Sequence, residues 1–506
     1  MKAAVQLVAA LLFVALSLIV YGHVFADGLC CADDSTNAIV AKNLAFGHGY
    51  LNSVPLDRGP GSRLFDPRIT TGPALNLPAA VVISFVGNVP WAPGFATATV
   101  SLSLLLLTVV TLSRTAGPIR GAGYGILLMS CLYGVTAGIH MEHWYALLGE
   151  LPAALLCVLG AAVLARDPDW RSGIFWSCLI YGLALMTKLV ALLSAAPVAV
   201  WLVWRILAAR VSRAGRAVDA LWAALAFLAP WLAFQAWKIV VLGSQTYAVN
   251  VADFWRFFRS SDPEQFSLAW SSLVGSALQQ YSEHALVLQT RFGLAPLVLV
   301  TVGAVAAVLV HQFVRAQGLR LLFALLMGGA LMQLSWWFLL SSGRPRYALI
   351  GLFLYFAALA CVVFIHISRL SLASSAAIMM LLASAASTRV LQPARFALQH
   401  RFASTPRVES LVKTATFLST LPHDQPFIMG WWATAGDIEY AMPTVANFVQ
   451  SVQIDQERLG DGRILVRNRT WVEWAPTPEF TALEARCDDV LLDAPPYRVS
   501  RCKGEP

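Results

Sequence analysis

The sequence predicts a polytopic α-helical membrane protein, and three observations predict it. Of 506 residues, 58% are hydrophobic and 13% charged, with a mean hydropathy of +0.65; soluble domains carry about 25% charged residues. Apolar runs of helical length recur along the chain, near the roughly 20 residues that cross a bilayer. The arginines cluster in short loops between those runs, where they act as topology signals. A net charge of +8 placed in this way argues for membrane orientation and against nucleic-acid binding.

The runs lie near 3–22, 93–112, 121–140, 146–165, 173–187, 189–205, 219–242, 293–313, 321–340, 347–366 and 370–387. The first, "MKAAVQLVAALLFVALSLIVYG", is long enough to span, and only the weak site "VFADG" follows it. It therefore reads as an uncleaved span and not as a signal peptide. Counting 173–187 and 189–205 as two spans gives about eleven transmembrane helices. With Lys2 inside, every basic cluster then falls on the inner side: Arg114 with Arg120, Arg166 with Arg171, Arg205 to Arg216, Arg315 with Arg320, and Arg369. A single span over 173–205 would send the later clusters outside, against the positive-inside tendency.

The outer side then receives a long first loop (23–92), short turns near 140–145, at Lys188 and at 341–346, the loop 243–292, and the tail. Within the first loop, "TTGPALNLPAAVVISFVG" is apolar but short, and reads as a helix along the interface or a re-entrant segment. After about residue 388 charged residues become common and strand-like runs appear: "QPFIMGWW", "GRILVRN" and "DDVLLDA". The expected division is a membrane region, 1–388, and a small extracytoplasmic α/β domain, 389–506.

Four of eight cysteines, Cys131, Cys157, Cys178 and Cys361, lie in apolar runs and read as packing residues. Of the outer four, Cys487 and Cys502 are the expected bridge. Adjacent Cys30 and Cys31 could hardly bond each other without strain.

The unusual ionisable groups gather on the outer face: Asp33, Asp34, Asp66, Glu142, His143, Lys188, Arg344 and Arg346. Charges beside a membrane are costly unless paired or hydrated, so this convergence points to function. Asp33 and Asp34 open "STNAIVAKNL", where they cap a helix, accept a proton, or recruit a divalent cation that relieves their repulsion. A lone His143 or Asp66 is more often an ordinary polar contact. Lys188 and the arginines of "GRPRY" are either snorkelling anchors or phosphate ligands.

"ADDSTNAIVAKNLAFGHGY" resembles the first outer loop of GT-C membrane glycosyltransferases, closest to the family 39-like branch. That branch includes protein O-mannosyltransferases and the aminoarabinose transferases acting on lipid A. The family's loop reads Asp-Glu, an alanine, Ala-Arg-Asn and a Gly-rich turn; here it is Asp33-Asp34, Ala38, Ala41-Lys42-Asn43 and Gly47-His48-Gly49. "GLALMTKLVALL" (182–193) and "GRPRYALIGLF" (343–353) are similar to two further segments of the family. The resemblance implies a GT-C-like fold over about 1–370; the tail matches nothing comparable.

It also implies a polyprenyl-phosphate-linked sugar donor, a lipid, glycan or protein acceptor, and inversion at the anomeric carbon. The family's base or metal-orienting acid falls on Asp33, beside Asp34. The second-loop acid falls on Glu142, with Glu150 as the competing assignment. Lys188, Arg344 and Arg346 would bind the donor phosphate, with Asp66 and His143 as further substrate contacts. A divalent ion, Mg or Mn, would sit on Asp33 and Glu142. The implied place is a bacterial inner membrane, with the active site facing the periplasm or exterior. A transporter or a non-catalytic envelope-assembly protein is the competing reading.

Overall fold

A computed structural model describes residues 2–53, 63–67, 69, 71–116, 124–125, 128, 141–167, 171–208, 213–260, 281–291, 295–314, 316–341, 345–367, 394–400, 403–422, 427–429, 432–443, 448–450, 462–468, 482 and 484–503. The apolar runs 121–140 and 370–387 lie wholly or largely outside this set. So do Arg344 and Cys131.

Helices α1 (Lys2–Asp27), α2 (Ala32–Ala45), α3 (Pro73–Val86), α4 (Ala92–Ala116) and α5 (Glu150–Arg166) build the first half. The second half continues with α6 (Arg171–Thr187), α7 (Leu192–Ala208), α8 (Arg213–Ser260), α9 (Pro296–Phe313), α10 (Gln317–Leu340) and α11 (Pro345–Ile367). Helix α5 is the hub, and α4, α6, α10 and α11 pack around it. Its polar-free run "LPAALLCVLGAA" has no solvent-facing side, because every face meets another helix.

Among the described residues five helices are long and apolar enough to cross a membrane, or six if the bent pair Tyr281–Arg291 and Pro296–Gln312 is one span. Residues 173–205 form two helices, as expected. Helix α6 stops at Thr187, Lys188 is extended, and a short 3-10 turn (Leu189–Ala191) leads into α7.

One expected loop, 243–292, is helical in its described parts, 243–260 and 281–291. The run 219–242 does not end in an open segment; α8 continues to Ser260, broken only at Gly243, whose φ of 72° takes a conformation that favours glycine. The stretch after it, "SQTYAVNVADFWRFF", holds no proline and enough apolar residues to keep a helix going.

Close helix crossings use small residues. Where α6 meets α8, a Cβ on Gly182 would lie 2.3 Å from the carbonyl oxygen of Phe227. That atom is backbone and cannot swing aside. Gly182→Val is therefore expected to lower stability by about 1–3 kcal/mol, read as a lower Tm in detergent.

Helix α3 buries Leu75, Ala79 and Ile83 against α2 and α4. Its other face leaves Leu77, Val81 and Phe85 exposed at one-turn spacing, Phe85 at 84%. This outward apolar stripe suits lipid better than water.

In the C-terminal segment, α12 (Pro406–Ser419) and α13 (Trp432–Ala441) accompany β3 (Phe427–Met429), β4 (Phe448–Gln450), β5 (Ile464–Asn468), β6 (Asp489–Ala494) and β7 (Tyr497–Arg501). The sheet order is β4-β3-β5-β7-β6, parallel across the first three strands and antiparallel in the last two. Here β1 and β2 are the earlier two-residue strands Leu51–Asn52 and Arg63–Leu64. Each of the three strand-like runs read from the sequence contains a strand. Cys487 and Cys502 form the disulfide, while Cys30 and Cys31 are free.

The sheet is not held at a distance from the helices. Val466, Val499 and Tyr497 share one apolar cluster with Leu411 of α12, Ile438 of α13, and Ile39 and Leu75 of α2 and α3.

Candidate functional site

Helix α2 follows Cys31, whose backbone is extended, and carries Asp33 and Asp34 in its first turn, where carboxylates complement the helix dipole. The two acids have different partners. Asp34 is buried and accepts the backbone N–H of Cys30 at 2.8 Å and of Leu147 at 2.7 Å. It staples the loop before α5 to the start of α2. Asp33 forms an ion pair with Arg346 across the site.

Arg346 stands at the second position of α11 and also lies within electrostatic reach of Glu150. Glu150 starts α5, is 1% exposed, and pairs with Lys188 at 3.0 Å. Lys188 also donates to the carbonyl of Leu148 at 2.8 Å. Charges of alternating sign, Asp33, Arg346, Glu150 and Lys188, thus meet where four separate chain segments converge.

Polar side chains fix that convergence. Asn37 donates to the carbonyl of Leu147 at 2.8 Å, and Thr71 Oγ1 donates to the carbonyls of Leu147 and Leu148 at 2.9 and 3.0 Å. Gly149 takes a φ of 87° to turn the chain into α5. Sequence reasoning passed over Asn37 and Thr71, since an isolated Asn in a helix and Thr in a loop carry no pattern.

Glu142 lies in a 3-10 turn, Met141–Trp144, with His143 buried beside it. Burial and the nearby Asp27 push the Glu142 carboxyl up to about 7, while Arg346 and Arg407 oppose the shift. The acid that meets Lys188 is Glu150, the competing assignment, and not Glu142. Asp66 is held elsewhere, accepting from Asn52 at 3.3 Å beside the β1–β2 hairpin that follows the far end of α2. A cavity of about 500 Å³ opens near that hairpin, lined by His48, Arg63 and Asn250 among others, and none of its lining residues belongs to the charged cluster.

Among the described residues no group of three His, Cys, Asp or Glu side chains gathers to hold a metal ion. Asp33 already faces a guanidinium. Mg²⁺ and Mn²⁺ favour several oxygen ligands at once, and the described residues around Asp33 and Glu142 do not supply that set.

Burial also pushes the Asp34 carboxyl up to about 7, against the two N–H groups that favour its charged form. With the folded value above the unfolded one, Asp34 binds its proton more tightly when folded. Stability is then fully expressed below about pH 4 and lost as pH rises through about 7; Glu142 acts in the same direction. Tm is expected to fall between pH 4 and 8, with a shallower slope in Asp34→Asn.

No protein-family model matches the sequence, and no curated protein matches it. The fold does have solved counterparts. ArnT from Cupriavidus metallidurans, solved in the apo state and bound to undecaprenyl phosphate, superposes with a TM-score of 0.59 at 14% identity, covering 97% of each chain. AglB, an archaeal oligosaccharyltransferase from Archaeoglobus fulgidus in complex with an inhibitory peptide and a dolichol-phosphate, gives 0.52 at 11% identity over 92% of this chain and 69% of its own. An A. fulgidus oligosaccharyltransferase in complex with Zn and sulfate gives 0.53 at 13%, over 97% and 73%. The chain shares its overall fold with these membrane-protein structures. It is similar over nearly its whole length to ArnT, and at these identities the likeness is one of fold.

Proposed function

We propose that this protein is a membrane glycosyltransferase that moves a sugar from a polyprenyl-phosphate donor to a lipid, glycan or protein acceptor on the extracytoplasmic face. The observation that carries the reading is the ion pair between Asp33 and Arg346, 313 positions apart in sequence, beside the Glu150–Lys188 pair. A transfer of this kind needs an acid facing the nucleophile and cations facing the leaving phosphate. The solved counterparts bound to undecaprenyl phosphate and to a dolichol-phosphate support a lipid-phosphate carrier.

In the proposed reaction Asp33 accepts the proton of the acceptor hydroxyl. The acceptor oxygen attacks the anomeric carbon, the bond from that carbon to the phosphate oxygen breaks, and polyprenyl phosphate leaves with the electron pair. Arg346 and Lys188 hold the departing anion, Arg346 in bidentate fashion; Arg344 is assigned the same anion. Arg346 neutralises Asp33 while the donor is absent. An arriving phosphate draws the guanidinium away and frees the carboxylate to act as base. Asp34 and Glu142 shape the field at the base, and His143 is assigned a place beside the acceptor. Asp66 is assigned a contact to a distal part of the substrate. No step is routed through a metal.

The test is sugar transfer by purified protein from a synthetic polyprenyl-phosphate donor. Transfer that depends on Asp33 supports the reading. Movement of the donor across a vesicle without transfer would favour a transporter, and neither activity a non-catalytic assembly protein.

A further inference from the structure

We infer that helix α13 is a clamp that positions α2, and so Asp33, through Lys42, Glu439, Gly436 and Asp437; the activity arm of this inference rests on the transferase reading above.

The clamp grips α2 at two places. Toward its end, Lys42 is wholly buried, and its Nζ donates to the carbonyls of Glu439 and Met442 and pairs with the Glu439 carboxylate at 3.5 Å. Ser53, beyond the end of α2, donates to the same carboxylate at 2.8 Å. Toward its start, a Cβ on Gly436 would lie 2.3 Å from Ser35 Oγ, so α13 and α2 touch with almost no side chain between them. Asp437 bonds the Ser35 side chain and pairs with Arg407 at 3.1 Å, while Arg407 donates to the carbonyl of Leu29 at 2.8 Å. Ser35 and Lys42 are two helical turns apart, about 10 Å.

Apolar packing alone would hold α13 against α2 but would let the helix slide or roll. A buried ion pair is a weak source of stability, because desolvation offsets the attraction, yet it fixes register. A roll of α2 by a single residue is about 100° and would carry Asp33 away from Arg346. The tail is on this account a part of the transfer machinery.

The experiment uses the full-length protein in detergent, with Lys42→Met, Lys42→Arg and Gly436→Val. Lys503→Ala, at the exposed Lys503–Asp488 pair, is the control. Sugar transfer, affinity for a polyprenyl phosphate, Tm, and hydrogen exchange over residues 32–45 and in α5 are measured. Lys42→Met and Gly436→Val are expected to lower kcat by about 10²-fold, the scale of a misplacement near 1 Å. Exchange in 32–45 rises while exchange in α5 and phosphate affinity stay near wild type; Tm falls, because Lys42→Met strands the buried Glu439 carboxylate and a side chain at Gly436 meets Ser35. Lys42→Arg recovers most of kcat, and Lys503→Ala changes nothing.

Unchanged exchange and kcat in Lys42→Met and Gly436→Val overturn the inference. So does a rise of exchange in α5 equal to that in 32–45 together with a loss of phosphate affinity, which would mark support of the whole fold. If the wild-type protein transfers no sugar, the transferase reading fails. Exchange over 32–45 against exchange in α5, measured below every variant's Tm, still decides whether the clamp exists.

Discussion

Asp33→Asn is expected to reduce sugar transfer by about 10²–10⁴-fold, the usual contribution of a general base, with the fold retained. The substitution keeps the shape of the side chain and an oxygen facing Arg346. It removes the charge and the ability to take a proton. Arg346 keeps Glu150 within electrostatic reach, so the guanidinium is not left without a counter-charge. Measured beside Asp34→Asn, the contrast is informative. Asp34 holds two backbone N–H groups in a buried place, so its replacement should show in Tm and in the pH dependence of stability as well as in transfer. Wild-type turnover by a folded Asp33→Asn protein would remove the assigned base.

Lys188→Met is expected to damage stability first. Glu150 is almost completely buried, and removing its cation leaves a buried carboxylate unpaired, a change that costs about 3–5 kcal/mol. The carbonyl of Leu148 also loses its donor. Adding Glu150→Gln removes the stranded charge and should restore much of the lost Tm. Transfer should nevertheless stay about 10²–10³-fold down, because the leaving phosphate still lacks its cation. If the double variant regains both Tm and transfer, Lys188 is a structural partner of Glu150 and not a phosphate ligand. Donor titrations on the same proteins separate a loss of affinity from a loss of kcat.

Much of the fold could be read from the chain because bilayer length and loop arginines are local signals. The break at Lys188 followed from charge placement between two runs that were each too short to be certain of alone. The strands around Ile428, Val466 and Leu491 showed as apolar runs between polar breaks, and the Cys487–Cys502 bridge followed from compartment. The continuation of α8 past Gly243 did not, since a single glycine in an apolar stretch marks an end or a kink equally well.

For the site, the residue types were legible and several of the pairings were not. Asp33 and Arg346 were each conspicuous, but their contact depends on how α2 meets the start of α11. Glu150 looked like a helix-interior acid, yet Gly149 turns the chain so that it stands at a helix start facing Lys188. Lys42 resembled a conservative replacement within a motif. Its partner, Glu439, lies 397 residues away, a separation that no periodicity or spacing can reveal.

Helix α8 has 48 residues, about 72 Å if straight, against about 40–45 Å for a bilayer with its headgroups. The part before Gly243, about 45 Å long, matches one membrane thickness. Beyond it, Asn250 donates to the carbonyl of Phe65 at 2.9 Å and Asp253 pairs with Arg63, which ties the β-hairpin to the height of the bend. Through these contacts a change in the bend of α8 at Gly243 would be passed to the hairpin that follows α2, the helix that carries Asp33.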